Sequence, residues 1–236
     1  MALPVINESP KYSLTIPSTK KKVFFRPFLV KEQKILLMAL ESQEQSNIVR
    51  AITDIIDSCL VDKVNVNNLA TFDIEYMFTQ IRSKSVGETS TVQLSCSECE
   101  HQNEVTINLE KIEVNIEGEP PLIQLNDQYS IQMRYPRYYH LLDAMDNEEG
   151  LSISKVLFKV ALACLDKLLT EDEAINLDEE SDEEKTKFLD NLTSEQFAKV
   201  IEFVQSLPKL TEEVKFKCGS CGHDNSLTLE GIDDFF

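Results

Sequence analysis

Only three histidines and six glycines occur among the 236 residues, and each scarcity removes a class of chemistry. Two of the histidines, His101 and His223, follow cysteine pairs, and the third, His140, lies among Tyr138, Tyr139 and Leu141, where packing or a surface contact is the plain reading. No nucleophile–histidine arrangement emerges from so small a supply. The glycines form neither a G-x-G-x-x-G nor a Walker pattern, and no Gly-x-Ser-x-Gly elbow occurs. Basic residues are also scarce: 23 Lys and Arg stand against 41 Asp and Glu, a formal charge of -18. Phosphate backbones and anionic lipids attract cationic surfaces, so this balance opposes nucleic-acid and membrane-surface roles. It fits a soluble protein that meets a basic partner. No apolar run reaches the length of a membrane span, and the first residues lack the basic and apolar regions of a signal peptide. The expected compartment is a reducing cytoplasm, where six cysteines read as thiols or metal ligands rather than disulfides. With no assembled active site in view, the chain is expected not to be an enzyme.

What the chain does have is one motif written twice. Val92, Cys96, Cys99, His101, Asn103 and Thr106 recur at a constant offset as Val214, Cys218, Cys221, His223, Asn225 and Thr228. Both copies read as strand, Cys-x-x-Cys knuckle, strand, because their arms alternate apolar and polar residues. At 42% hydrophobic and 27% charged residues, the rest of the chain can bury a core.

The repetition extends upstream. Tyr12–Ile16 and Val23–Phe25 predict a strand pair, followed by a helix from about Val30 to Glu41. Ile48, Ile52, Ile55, Ile56 and Cys59 form an apolar stripe at helical spacing. Thr71 is a candidate N-cap for a third helix carrying Ile74, Met77, Phe78 and Ile81. In the second half, Leu122–Met133 predicts strands around an Asn126-Asp127 turn, and Arg134 and Pro136 echo Arg26 and Pro27. A short helix is expected over Tyr138–Met145. Ile153, Leu157, Val160, Ala161 and Cys164 then repeat the earlier stripe, and Thr193 with Gln196 repeats the cap as a capping box. Phe197, Val200, Ile201 and Val204 match the third helix. The offset between copies grows after Cys164, which locates an insertion at Glu171–Lys187, rich in acidic residues and expected to be an exposed loop. The predicted fold is therefore α+β and built as a tandem duplication: residues 1–116, then 117–236, each a strand pair, about three helices and a knuckle hairpin.

Three arrangements are open to the knuckle cysteines. Cys96, Cys99, Cys218 and Cys221 together supply the four thiolates of one structural zinc, which would join the two hairpins as one zinc ribbon. Each knuckle could instead bind its own metal with His101 or His223, but that leaves a fourth ligand missing. A redox pair is the third reading, although redox Cys-x-x-Cys motifs open a helix, where the dipole lowers the thiol pKa. Cys59 and Cys164 end apolar stripes and read as small core residues. Arg26 and Arg134 read as parts of fold-defining turns.

Three segments also carry a family likeness. Tyr12–Lys20, Phe25–Ala39 with its Arg-Pro-Phe-Leu-Val-Lys-Glu run, and Phe72–Glu88 ending in Ile-Arg-Ser-Lys-Ser-Val-Gly-Glu resemble the baseplate hub assembly protein family of T-even-like contractile-tailed phages. The likeness is strong over about residues 10–112 and looser over the acidic insertion. It implies a non-enzymatic tail morphogenesis protein that assembles or joins the baseplate hub. The implied partners are hub and tape measure proteins, met in the host cytoplasm during assembly or in the tail itself. The competing class is a zinc-ribbon adaptor on nucleic acid or transcription machinery. It calls for a basic face, whereas the first knuckle carries Glu98, Glu100 and Glu104.

Overall fold

A computed structural model describes residues 9–42, 44–116, 118–140 and 153–235. The fold is α+β, with small antiparallel sheets and separate helices. The chain forms two compact units. One gathers residues 1–66, 72–115 and 209–236; the other holds 67–71 and 116–208. Among the described residues, no helix is long and apolar enough to cross a membrane.

The first unit begins with the hairpin β1 (Tyr12–Thr15) and β2 (Lys22–Phe25), registered with Leu14 opposite Val23. Its turn is held from outside. The Asp73 carboxylate accepts the Ser18 amide at 2.8 Å and the Ser18 hydroxyl at 2.5 Å. Helix α1 spans Val30–Ser42, α2 Gln45–Cys59 and α3 Thr71–Ser85. Thr71 is the first residue of α3 rather than its cap. The predicted stripes face inward: Ile52, Ile55, Ile56 and Cys59 of α2 and Ile74, Met77, Phe78 and Ile81 of α3 are buried. Each such side chain contributes about 1.5–3 kcal/mol on leaving water. The Arg26 guanidinium ties the start of α1 to the end of α2, donating to Glu32 at 2.8 Å and to the Ser58 carbonyl at 2.9 Å. Two hairpins complete the unit. They are β3 (Thr89–Ser95) with β4 (Gln102–Asn108), and β10 (Leu210–Lys217) with β11 (Asp224–Glu230). The short β5 (Glu113–Val114) adds to β10, with Val114 opposite Leu210.

The second unit is a four-stranded antiparallel sheet in the order β6-β7-β8-β9: Leu122–Gln124, Ser130–Met133, Leu165–Leu169 and Ala174–Asn176. Helices α4 (Ile153–Ala163), α5 (Asp182–Asp190) and α6 (Ser194–Gln205) accompany it. Ile131, Met133, Ala161, Leu165 and Val200 meet in its core. The Asn126 side chain closes the predicted turn, accepting the amides of Gln128 and Tyr129 at 2.9 Å. Thr193 and Gln196 form the capping box on α6. The Tyr138–Met145 helix begins at 138–140, and its remainder lies outside the described residues.

The acidic stretch 171–187 is not the expected loop. It supplies β9 and the first turns of α5. The reason is local. Ser181 caps α5 by accepting the Glu184 amide, and Asp182, Glu183 and Glu184 fill the first turn, where the helix dipole favours negative charge. Leu177 and Leu189 then anchor the stretch in the core.

Charge in this unit concentrates at Asp178, which receives Arg134 at 2.6 Å and Arg137 at 2.7 Å. The Arg134 bond leads in holding this carboxyl well below the usual carboxylate range. Burial pushes His140 down from 6.5 to about 4. Both shifts give the same sign. Between pH 6.5 and about 4 the unfolded chain takes up a proton that folded His140 refuses, so stability falls on acidification. Below that window the unfolded chain protonates the carboxyl that the folded state keeps ionised, and the Asp178 contribution is lost as well. Thermal melts followed by circular dichroism should therefore drop steadily as pH falls from 6.5. His140→Leu should flatten the upper part of that fall and leave the lower part.

A candidate metal centre

The local sequence builds the two knuckles in the same way. In the first, the Cys96 amide donates to the His101 carbonyl at 2.9 Å and the Glu100 amide to the Cys96 carbonyl at 3.0 Å. In the second, Cys218 donates to His223 at 2.8 Å and Gly222 to Cys218 at 3.0 Å. Each turn needs a left-handed residue at the same place. The second copy has Gly222 there, at φ 76°, and the first has Glu100, at φ 57°. The first knuckle holds this conformation without glycine, at an energetic cost of about 1 kcal/mol.

Strand arms β3/β4 and β10/β11 bring the turns together. The four sulfurs of Cys96, Cys99, Cys218 and Cys221 all lie within 4.8 Å of one another. Two approaches cross between knuckles: Cys96 to Cys221 at 3.7 Å and Cys99 to Cys218 at 3.6 Å. These spacings are too long for a disulfide. They match the edge of a tetrahedron of thiolates around an ion about 2.3 Å from each sulfur, which is about 3.8 Å. The four residues could thus hold one metal ion, and the donor set is the all-sulfur set that zinc takes in structural sites.

The surroundings fit a cluster of thiolates. The amides of Cys221 and Ser220 pull the Cys218 thiol down to about 6, against its burial. At Cys96 burial opposes ionisation, yet the amides of Cys99 and Glu98 and the Asn225 side chain bring its pKa below the usual value. The His223 amide favours ionised Cys221, but the neighbouring thiols, Cys99 first, push it up to about 12. Four adjacent sulfurs cannot all carry charge unaided, and a divalent cation removes that conflict.

Two asparagines latch the knuckles to each other, a role sequence reasoning missed. Asn225 accepts the Ser97 amide at 3.0 Å and donates towards the Cys96 sulfur at 3.6 Å. Asn103 accepts the Gly219 amide at 2.9 Å and approaches the Cys218 sulfur at 3.9 Å. Each asparagine also donates to the histidine carbonyl of its own turn. The signal was present, since Asn103 and Asn225 recur in place within the repeated motif. The imidazoles of His101 and His223 are exposed and stand outside the sulfur group. Cys59 and Cys164 are buried elsewhere, and burial raises their thiols to about 11 and about 12.

Comparison with known proteins adds one finding. A family described as T4 bacteriophage base plate protein matches residues 9–236. No curated protein and no solved structure matches the chain.

Proposed function

Since the chain belongs to the family of T4 bacteriophage base plate proteins, we propose that it is a non-enzymatic tail morphogenesis protein that assembles or forms part of the baseplate hub. The family match over almost the whole chain carries this reading. It would act by binding hub or tape measure proteins, first in the host cytoplasm and then in the tail. The charge of -18 favours a partner with a basic surface. The nucleic-acid alternative finds little support at the knuckles, where Glu98, Glu100 and Glu104 are exposed.

Zinc is the metal proposed for the sulfur group. Four thiolates fill its tetrahedral shell and leave no position for a reacting water, so its contribution would be structural. Cys96, Cys99, Cys218 and Cys221 would hold it, and Asn103 and Asn225 would orient the turns and donate to sulfur. The result is a zinc ribbon assembled from two distant hairpins.

A duplicated origin is part of the same proposal. The Arg26 amide donates to the Cys59 carbonyl at 2.9 Å, and the Arg134 amide to the Cys164 carbonyl at 2.8 Å. The Arg26 side chain bonds the Ser58 carbonyl, and that of Arg134 the Ala163 carbonyl. The same residue pair thus performs the same task at the same place in the two sequence halves.

Co-expression with the phage hub and tape measure proteins, followed by pull-down across a salt series, tests the function. Capture that weakens as salt rises is expected. Capture indifferent to salt would remove the electrostatic part, and no capture of either partner would reject the hub assignment.

A further inference from the structure

Helix α1 turns its apolar side chains outward. Val30, Ile35, Leu37, Met38 and Leu40 are 66%, 44%, 52%, 69% and 50% exposed, while only Glu32 and Ala39 of this helix are buried. At about 100° per residue, Val30, Lys34, Leu37 and Glu41 fall on one line opposite the buried side, flanked by Met38 and Leu40. Monomeric proteins rarely leave so continuous an apolar surface on a regular element.

The order of residues on this face states what covers it. Reversing the helix on itself about the Leu37–Met38 peptide sets Lys34 against Glu41. The same operation sets Leu37 against Met38. The two charges on the exposed line thus meet their opposites, and the two apolar residues at its centre meet each other. We propose that α1 is the contact through which two copies of this chain pair, antiparallel about a two-fold axis beside Leu37 and Met38. Such an isologous contact uses one patch twice, so each favourable pair is made twice. Lys34 and Glu41 carry the charge argument.

The test is sedimentation velocity and light scattering on the full chain over a concentration series, with circular dichroism as a check on folding. The wild type should run as a dimer that dissociates on dilution. Leu37→Glu should give a folded monomer. Lys34→Glu and Glu41→Lys should each weaken pairing about tenfold, because each turns two attractive contacts repulsive. The double variant Lys34→Glu/Glu41→Lys should restore it. A wild type that stays monomeric at every loading, or a double variant no tighter than the singles, overturns the proposal. The outcome is independent of the hub reading, since capture of hub or tape measure proteins can fail while the dimer persists, and the reverse.

Discussion

Cys96→Ser is expected to abolish stoichiometric zinc binding and to loosen a hairpin whose own cysteines are intact. The reason is geometric. Across the knuckles the Cys96 sulfur lies 3.7 Å from that of Cys221, 125 residues away, and the Asn225 amide leans on the Cys96 sulfur. Serine cannot supply a thiolate, and three sulfurs leave the ion an open side. A structural zinc contributes on the order of 10 kcal/mol in small zinc-dependent domains. The loss here is smaller, because β5 still pairs with β10 and the two asparagines still bridge the turns. A loss on the order of 3–5 kcal/mol in the first unit is a reasonable scale, comparable with removing a native cross-link. Metal analysis should fall from one equivalent towards none. Hydrogen exchange should quicken in both β3/β4 and β10/β11. Cys221→Ser should give the same pattern, and a strong chelator should reproduce it in the wild type. Faster exchange confined to the hairpin that carries the substitution would rule out a shared site.

Glu32→Ala is the second change expected to act strongly. The Glu32 side chain is 2% exposed, and its two oxygens are both engaged. One receives Arg26 at 2.8 Å, and the other receives the Leu29 amide at 2.8 Å, which closes the first turn of α1. Burial works to raise its pKa, but Arg26 and the Leu29 amide outweigh that and keep it low. Truncation would strand a partly buried guanidinium and an unsatisfied helix-start amide, a loss of about 3 kcal/mol. Arg26 retains the carbonyls of Pro27 and Ser58, which limits the damage. Chemical denaturation of wild type, Glu32→Ala, Arg26→Ala and the double variant forms the checking cycle. The double variant should cost less than the sum of the singles by 1 kcal/mol or more. Strict additivity would show that the pair contributes nothing beyond its separate members. Because Glu32 sets the start of α1, its loss should also weaken the pairing of two copies.

Much of this was legible in the residues. The stripes of α2, α3 and α6 are periodic enough to read directly, and the capping box at Thr193 and the turn at Asn126 need only local bonds. The repeated motif marked the four cysteines that the fold gathers. Three features were hidden. The strands β8 and β9 are short and irregular in pattern, and the acidity around them resembled a solvated loop; burial of Leu177 and Leu189 decided otherwise. The exposure of α1 was also illegible, since its Ile, Leu and Met residues look like any core helix until the chain around them is placed. Glu32 was overlooked because a glutamate in a helix gives no sign of burial until its arginine is found.

The passage of the chain out of one unit and back sets an order of events. Residues 116–208 are synthesised between the two hairpins that the sulfurs join, so the clasp waits for Cys221 to emerge. Closing a flexible loop of more than a hundred residues carries a large entropic charge, but this loop need not be flexible. Glu119 and Pro121 at one end of the intervening segment line the same groove as Ser206 and Pro208 at the other. Once that segment has folded, the free chain between Cys99 and Cys218 shrinks to roughly a quarter of its length. Two halvings lower the cost of closure by about 1 kcal/mol. Folding of the intervening unit would therefore leave only a short stretch of chain to close before the four sulfurs could take up a metal ion.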